Sequence, residues 1–254
     1  MRILNRRAAT GVGSCLVFVA LASGLCAQTH DLSVQITDVG GSNTPIVASG
    51  QVSFHEVPSA ESVKTQWSIE VRMLNVSGKT ILAYEVSIRA MPDRGGPVVH
   101  TARADYFFRS ELRFVTGSEE TLNVPMRNWH VTPLEESARP KVPKASFEVI
   151  FVEFADGSKF GTSEWGSGLS AVRAQTIERL QSVSRQSQNS GEDGLRLALA
   201  NEIGAGGDSE FARAVLNDVK TTLDDKGWRA ATEQINGFLE AAKERYTAFR
   251  TKGP

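Results

Sequence analysis

Histidine and cysteine are the residues that most often mark a metal site, and this sequence has few of them. The histidines are His30, His55, His100 and His130. No two of them have the spacing that places two ligands on one helix face, and none belongs to an HExxH motif or a Cys/His cluster. Because zinc sites are recognised in a sequence by such spacings, we expect no metal site and interpret these histidines as solvated residues of strands or loops.

Acidic residues could act as general acids and bases or as calcium ligands, but their spacing favours neither role. The adjacent pairs are Glu119-Glu120, Glu135-Glu136 and Asp224-Asp225. Neighbouring side chains on a strand or a helix point in different directions, so such pairs are typical of a solvated surface. Calcium ligands at one end of a β-domain could come from Asp38, Asp93, Glu153 and Asp156. No DxDxDG-like spacing accompanies them, so turn aspartates explain this set better.

Motifs for nucleophilic catalysis and for phosphate binding are also missing from the sequence. Gly161–Trp165 lacks the final glycine of a nucleophile elbow and follows a predicted hairpin instead of a parallel strand. The glycine-rich segment 204–207 is not followed by the Lys-Ser/Thr of a Walker loop, and no GxGxxG follows a strand. The sequence therefore predicts no catalytic residue and no cofactor, and we expect a protein that is not an enzyme.

Aromatic residues are the one positive indication of a binding surface. Tyr106, Phe107 and Phe108 are consecutive, so their rings point to both faces of a predicted strand. Trp129 lies at the end of another predicted strand, beside His130. Rings exposed on a β-domain can stack on sugars or anchor a protein partner. The alternative is that these four rings pack under a long loop or under the helices.

Residues 1–27 have the features of a signal peptide. Arg2, Arg6 and Arg7 precede an uncharged, largely apolar run at residues 11–25. A run of about 15 residues suits the core of a signal peptide and is shorter than the roughly 20 residues that span a bilayer. Cleavage after Ala27 predicts an exported protein, periplasmic or extracellular, with no stable membrane span in its mature form.

Removal of this leader changes the composition of the mature chain. Cys15 and Cys26 are lost with it, so the mature protein is expected to be stabilised by burial instead of disulfides. Loss of three arginines from 28 basic residues leaves 25 against 29 acidic residues, a net charge of −4. Nucleic acids and anionic membranes require a concentrated basic patch, so we expect neither as a partner.

Apolar and polar residues alternate through most of residues 28–165, as in half-buried antiparallel strands. The clearest example is Gln66–Ala90, which is predicted to form two strands joined by a turn. The strands are expected at 31–39, 45–57, within 66–90, and at 98–109, 111–115, 120–127, 147–154 and 159–161, with an exposed loop at 132–145. This spacing, with proline and glycine turns, predicts an immunoglobulin-like antiparallel β-sandwich of about seven or eight strands.

Beyond Trp165 the apolar spacing changes from two to about 3.6, which predicts an α-helical region over residues 168–254. We expect about four helices, with the polar stretch Ser184–Gly194 as a linker between two of them. Apolar stripes such as Phe211, Val215 and Val219 must be covered. The helices either form their own bundle or pack on the sandwich, and the sequence leaves both arrangements open.

Two short segments resemble known domains. Asn75–Val86 is similar to the second and third strands of bacterial extracellular immunoglobulin-like and fibronectin-like domains, in which an N-x-S-x-K-x-I turn leads into a strand with a tyrosine. Phe151–Ser158 is similar to a late hairpin of uncharacterised secreted bacterial proteins. The resemblance implies a spacer, an adhesion module or a binding module, and it implies no catalytic residue.

Taken together, the sequence predicts an exported, non-enzymatic bacterial protein that serves as a structural or protein-interaction module of the cell envelope. A second hypothesis is a carbohydrate- or envelope-binding module that uses the exposed aromatic residues. A third is an enzyme with a site between the sandwich and the helices. The expected partner is thus an envelope protein or a glycan, and nothing in the sequence indicates the oligomeric state.

Overall fold

The computed structural model describes residues 29–94, 96–109, 114–126, 129–133, 142–204 and 210–251. Within them, nine strands precede three helices. The strands are β1 (His30–Asp38), β2 (Ile46–Pro58), β3 (Ser62–Asn75), β4 (Ile81–Met91), β5 (Val98–Asp105), β6 (Glu119–Val124), β7 (His130–Pro133), β8 (Lys144–Phe154) and β9 (Lys159–Gly161). The helices are α1 (Glu164–Gly204), α2 (Glu210–Lys226) and α3 (Trp228–Thr251). The predicted division into a β-rich part and a C-terminal helical part is confirmed.

Some predicted features lie outside the described residues. These are the leader at 1–27, most of the predicted strand at 111–115, most of the predicted loop at 132–145 and most of the glycine-rich segment at 204–207. Phe114, at the described end of that strand, makes an isolated antiparallel bridge to Ile81. The change from strand to helix falls between Gly161 and Glu164, close to the position that the apolar spacing predicts.

The nine strands belong to one mixed sheet that curls into a half-barrel. Its strand order is β5-β4-β8-β1-β2-β3-β6, with β7 paired to β3 and β9 paired to β8. β1 pairs antiparallel with β2 over His30–Gln35 and then parallel with β8, where Ile36–Asp38 lie opposite Ala145–Phe147. The prediction of an antiparallel immunoglobulin-like sandwich is therefore wrong in topology. Alternation decides which side chains face a core but not which strands pair, so a curled sheet and a sandwich share the same pattern.

The concave face of the sheet encloses the main core. Side chains of β2 and β3 alternate as predicted, so that Val52, Phe54, Ile69 and Val71 are buried. Strands from both halves of the sheet contribute to this one cluster, including Phe147 of β8. The period of two in the sequence therefore places the apolar set inward, and the curl brings that set together.

Two tyrosines form hydrogen bonds between strands that lie near opposite ends of the strand order and that the curl of the sheet brings together. The Tyr84 hydroxyl donates a hydrogen bond to Glu120 Oε2 at 2.9 Å, and the Tyr106 hydroxyl donates to Glu120 Oε1. Glu120 lies on β6 at one end of the order, while Tyr84 on β4 and Tyr106 after β5 lie at the other. Burial, with the nearby Glu120 carboxylate, raises the pKa of Tyr84, so its hydroxyl remains a donor at neutral pH.

The sequence predicts about four helices, and α1 consists of two helical segments that meet at a kink inside the predicted linker Ser184–Gly194, which is otherwise helical. The helix geometry breaks at a single residue, Gly191, with φ 61° and ψ −142°. Serine is a weak helix former, but Ser184 and Ser187 are buried, and Ser187 Oγ lies 3.2 Å from Thr232 Oγ1 of α3. Tertiary packing of this kind outweighs the low intrinsic helix preference of the segment. Composition reflects only that preference, so it predicts a linker where the structure has a helix.

The helices pack on one another and also against the sheet, so both arrangements that the sequence left open are present. One apolar cluster combines residues of all three helices with Leu82 of β4 and with Phe107 and Phe108, which follow β5. A smaller cluster joins Leu169 of α1 to Phe151 of β8. The helical part therefore covers one end of the sheet and contributes its own core.

A buried arginine fixes α1 to the sheet. Arg173 is 2% exposed, and its guanidinium donates to both carboxylate oxygens of Asp105 at 2.8 and 2.9 Å and to Glu153 at 2.5 Å. The same guanidinium lies 4.5 Å from the centroid of the Phe107 ring. Because Asp105 ends β5 and Glu153 lies on β8, this one side chain ties the first helix to two strands.

We expect Arg173→Ala to lower the free energy of unfolding by about 3–5 kcal/mol, because it leaves two buried carboxylates without a cationic partner. Urea unfolding followed by circular dichroism measures this change. Arg196→Ala is a matched control, since Arg196 lies on the same helix and also contacts two carboxylates, those of Glu192 and Asp224, but at the surface. The control should unfold like the parent, and equal effects of the two substitutions would contradict the assignment.

Candidate functional site

Two of the predicted binding residues lie inside the protein. Phe107 and Phe108 are 0% and 3% exposed and belong to the cluster between sheet and helices. The Phe107 ring contacts Tyr246 at 5.3 Å between centroids, and the Phe108 ring contacts Phe238 at 6.2 Å. Both rings therefore pack under the helices, and neither is part of an exposed aromatic surface.

The other two predicted residues differ from each other. Tyr106 is partly buried, and its hydroxyl is bonded to Glu120, so it contributes to the closure of the curl. Trp129 is 45% exposed, and its ring lies 5.8 Å from the ring of His55. Of the four candidates, only Trp129 presents an aromatic surface to solvent.

Two aliphatic side chains beside Trp129 are exposed as well. Met126 is 40% exposed and Val131 is 55% exposed. Val131 lies in β7, two residues after Trp129, which immediately precedes that strand. Met126 lies near His55, the residue that Trp129 contacts. We call Met126, Trp129 and Val131 the Trp129 patch.

A shallow groove of about 410 Å³ runs next to the Trp129 patch. Its lining combines polar and apolar groups and consists of Asp31, Leu32, Ser33, Ser53, Phe54, His55 and Met126. The His55 imidazole and the Asp31 carboxylate are 2.6 Å apart, and Ser33 Oγ lies 3.3 Å from Ser53 Oγ. Hydroxyl, carboxylate and imidazole groups beside an indole ring can hydrogen-bond and stack with a polyhydroxylated ligand.

A cavity between the sheet and the helices is the place where the enzyme hypothesis puts its site. It has a volume of about 190 Å³, and its lining is mostly apolar, with Phe108, Phe211 and Phe238 among the side chains. Its two carboxylates are paired with arginines, Asp105 with Arg173 and Asp218 with Arg109. Among the described residues that line it there is no histidine, cysteine, serine or threonine.

A second candidate site lies at the opposite end of the sheet. His30 on β1 is directly opposite Glu56 on β2, so both side chains lie on the concave face. Asp93, in the turn after β4, approaches the same point. His30 Nδ1 is 3.9 Å from Glu56 Oε2 and 3.9 Å from Asp93 Oδ1, and one ligand atom of each residue lies within 4.8 Å of the others. We call these three residues the His30–Glu56–Asp93 cluster.

Four polar atoms of this cluster have no hydrogen-bond partner among the described residues. Glu56 is 0% exposed, and neither of its carboxylate oxygens accepts a hydrogen bond; the same is true of His30 Nδ1 and Asp93 Oδ1. Thr65, opposite Glu56 on β3, is 2% exposed and its hydroxyl is also unpaired. Buried polar groups are normally hydrogen-bonded, so this concentration of unpaired atoms marks a candidate ligand site.

Burial, together with the nearby Asp93 carboxylate, raises the pKa of Glu56 from 4.5 to about 7, while Arg94 acts in the opposite direction. Glu56 therefore changes its protonation near neutral pH. A carboxyl group with such a pKa can serve as a cation ligand or as a general acid or base.

Sequence reasoning missed this cluster because its members are far apart in the chain. From the sequence, Asp93 is expected to be a turn residue or a calcium ligand, and His30 a solvated residue. The register of β1 against β2 is what brings His30 and Glu56 together. One signal was present in the sequence: in the alternation Val52, Phe54, Glu56, a charged residue takes an inward position, where it is rarely found without a partner.

The remaining histidines are not members of the His30–Glu56–Asp93 cluster. His130 of β7 is exposed and lies opposite Thr65 of β3. The hydroxyl of Thr132, also on β7, accepts a hydrogen bond from the Gly96 amide at 3.1 Å. The His100 ring lies 5.9 Å from the ring of Trp67, and burial lowers the pKa of His100. Within the described part of the chain, only His30 joins two carboxylates in a group that could hold a metal ion.

Comparison of the chain with protein-family models, with curated proteins and with solved structures gave no match. In the part of the chain that the structure describes, no helix is both long enough and apolar enough to span a membrane. Function is therefore inferred from the residues and their geometry.

In metal-free protein, Glu56→Gln should raise the free energy of unfolding at high pH. The folded-state pKa of Glu56, about 7, is above its unfolded value of 4.5, so the stability it contributes is full below pH 4.5 and is lost as the pH rises through 7. Glutamine resembles the protonated form, and the gain at pH 9 should be about 2–3 kcal/mol, the lower figure allowing for solvent screening.

Urea unfolding at pH 4 and pH 9 in the presence of EDTA measures this difference. Glu70→Gln is the control, because Glu70 is exposed on the neighbouring strand β3 and should leave stability unchanged at both pH values. A gain from Glu56→Gln that is the same at both pH values would contradict the burial of an ionisable Glu56.

Proposed function

We propose that the mature protein is an exported, non-enzymatic module of the bacterial cell envelope that binds a protein partner through the Trp129 patch. The observation that carries the proposal is the exposure of an indole ring together with two aliphatic side chains, Met126 and Val131, on one edge of the sheet. Tryptophan is enriched among the residues that dominate the energy of protein–protein interfaces, and exposed apolar clusters mark such interfaces.

Two features of the chain support the proposed setting. The leader at 1–27 predicts export, and the mature chain that it leaves has no cysteine. The described residues provide two large buried clusters and the Arg173 network, so the fold has means of stabilisation that need no disulfide. Such a scaffold can hold the Trp129 patch in a fixed position outside the reducing cytoplasm.

Carbohydrate binding is the second candidate function, and the groove beside the Trp129 patch favours it. In this arrangement a sugar ring would stack on Trp129, while Asp31, His55 and the Ser33 and Ser53 hydroxyls would exchange hydrogen bonds with its hydroxyl groups. The two candidates use the same tryptophan but different neighbours. A protein partner requires Met126 and Val131, and a glycan requires the polar groove.

Trp129→Ala should abolish the interaction in either case. For a protein partner, we expect a photo-crosslinking amino acid at Val131 to give a discrete adduct with an envelope protein, and Trp129→Ala to lower its yield at least about tenfold. Trp228→Ala is the matched control, because Trp228 is 37% exposed at the start of α3, remote from the patch in sequence. The control should leave the adduct unchanged.

Sedimentation with insoluble peptidoglycan, chitin and cellulose distinguishes the second candidate. Retention that Trp129→Ala removes, without a protein adduct, would assign the patch to a glycan. If Trp129→Ala changes neither the adduct nor retention, the Trp129 patch is not a binding surface and the proposed function is wrong.

A further inference from the structure

We infer that His30, Glu56 and Asp93 bind a divalent transition-metal cation of the Zn²⁺ class at the end of the sheet farthest from the helices. The site is separate from the Trp129 patch, and it does not depend on the function proposed for that patch. Three elements contribute one ligand each: β1, β2 and the turn between β4 and β5.

The first support is the buried carboxylate itself. Glu56 is fully buried, both of its oxygens lack a partner among the described residues, and they face His30 Nδ1 and Asp93 Oδ1, which are also unpaired. A buried carboxyl group without a hydrogen-bond partner is unfavourable. A divalent cation would satisfy the unpaired atoms together.

The distances permit such an ion with small movements. Zinc binds nitrogen and carboxylate oxygen at about 2.0–2.2 Å, so tetrahedral ligand atoms are about 3.4 Å apart. The two 3.9 Å separations from His30 Nδ1 must therefore shorten by about half an ångström. His30 is the first residue of β1 and Asp93 lies in a turn, so both can move while Glu56, inside the sheet, stays fixed.

The donor atoms select the class of metal. Ca²⁺ and Mg²⁺ prefer oxygen ligands alone, whereas an imidazole nitrogen favours Zn²⁺ and its transition-metal neighbours. Three protein ligands leave a fourth tetrahedral position for a water molecule. Thr65, opposite Glu56 and with an unpaired buried hydroxyl, lies where it can hydrogen-bond to Glu56 or to that water, as residues around metal ligands commonly do.

An ion at this position would also stabilise the fold. β4 begins at Ile81, and its next two residues, Leu82 and Ala83, belong to apolar clusters that include helix residues. The strand ends at Met91, two residues before Asp93. Eight to ten residues of extended strand separate the cluster from the helices by about 30 Å. An ion there would tie the beginning of β1 to β2 and to the β4–β5 turn, so its binding energy would add to the stability of the fold.

Isothermal titration calorimetry of the EDTA-stripped mature chain with Zn²⁺ tests the inference. We expect one equivalent to bind and the thermal unfolding midpoint to rise with zinc. Glu56→Gln should weaken binding at least about 100-fold, and Asp93→Asn and His30→Gln at least about tenfold. Glu56→Gln is nearly isosteric and should remain folded, which its own unfolding transition verifies. Glu70→Gln and His100→Gln are controls that should bind zinc like the parent.

Several outcomes would overturn the inference. The parent could fail to bind zinc, or Glu56→Gln could bind it as tightly as the parent. Preference for Ca²⁺ or Mg²⁺ would contradict the assigned class of metal. Loss of binding on Asp31→Asn, with retention in Glu56→Gln, would place the ion at the surface pair of His55 and Asp31 instead. The first three results do not bear on the Trp129 patch, so the two proposals fail separately, whereas an ion at Asp31 and His55 would lie in the groove beside that patch.

Discussion

The pairing of β1 with two different strands is the constraint on which the architecture depends. Its first six residues pair with β2, and its last three pair in parallel with β8. This strand therefore joins β2, β3, β6 and β7 to β4, β5, β8 and β9, which would otherwise form two separate sheets. Because the joined sheet curls, both groups of strands share one core, and the hydrogen bonds of Tyr84 and Tyr106 to Glu120 hold the far edges together.

The same arrangement gives the two ends of the sheet different roles. At one end, Asp105 and Glu153 are buried under α1, and Arg173 compensates their charge. At the other end, both carboxylate oxygens of Glu56 and one of Asp93 lack a side-chain hydrogen-bond partner among the described residues. In our proposal a divalent cation has there the role that Arg173 has under α1.

The strands and helices can be placed from the sequence, but the contacts between distant segments cannot, because they leave no local pattern in the chain. The alternation through Trp67, Ile69 and Val71 is enough to place strands, and the spacing of Phe211, Val215 and Val219 is enough to place a helix. A parallel contact of three residues leaves no local pattern, so the sheet order could not be deduced.

Phe107 and Phe108 have the composition of a binding surface, but only the position of the helices shows that they are core residues. Likewise, His30 and Glu56 form a site only through strand register. Export remains a prediction from the leader.

Anomalous X-ray scattering at the zinc absorption edge, from crystals of the mature chain grown with zinc, tests the central claim most directly. The account predicts one strong peak within about 2.2 Å of His30 Nδ1 and of one carboxylate oxygen each from Glu56 and Asp93. A peak at the surface pair of His55 and Asp31, or no peak beside Glu56, would contradict it.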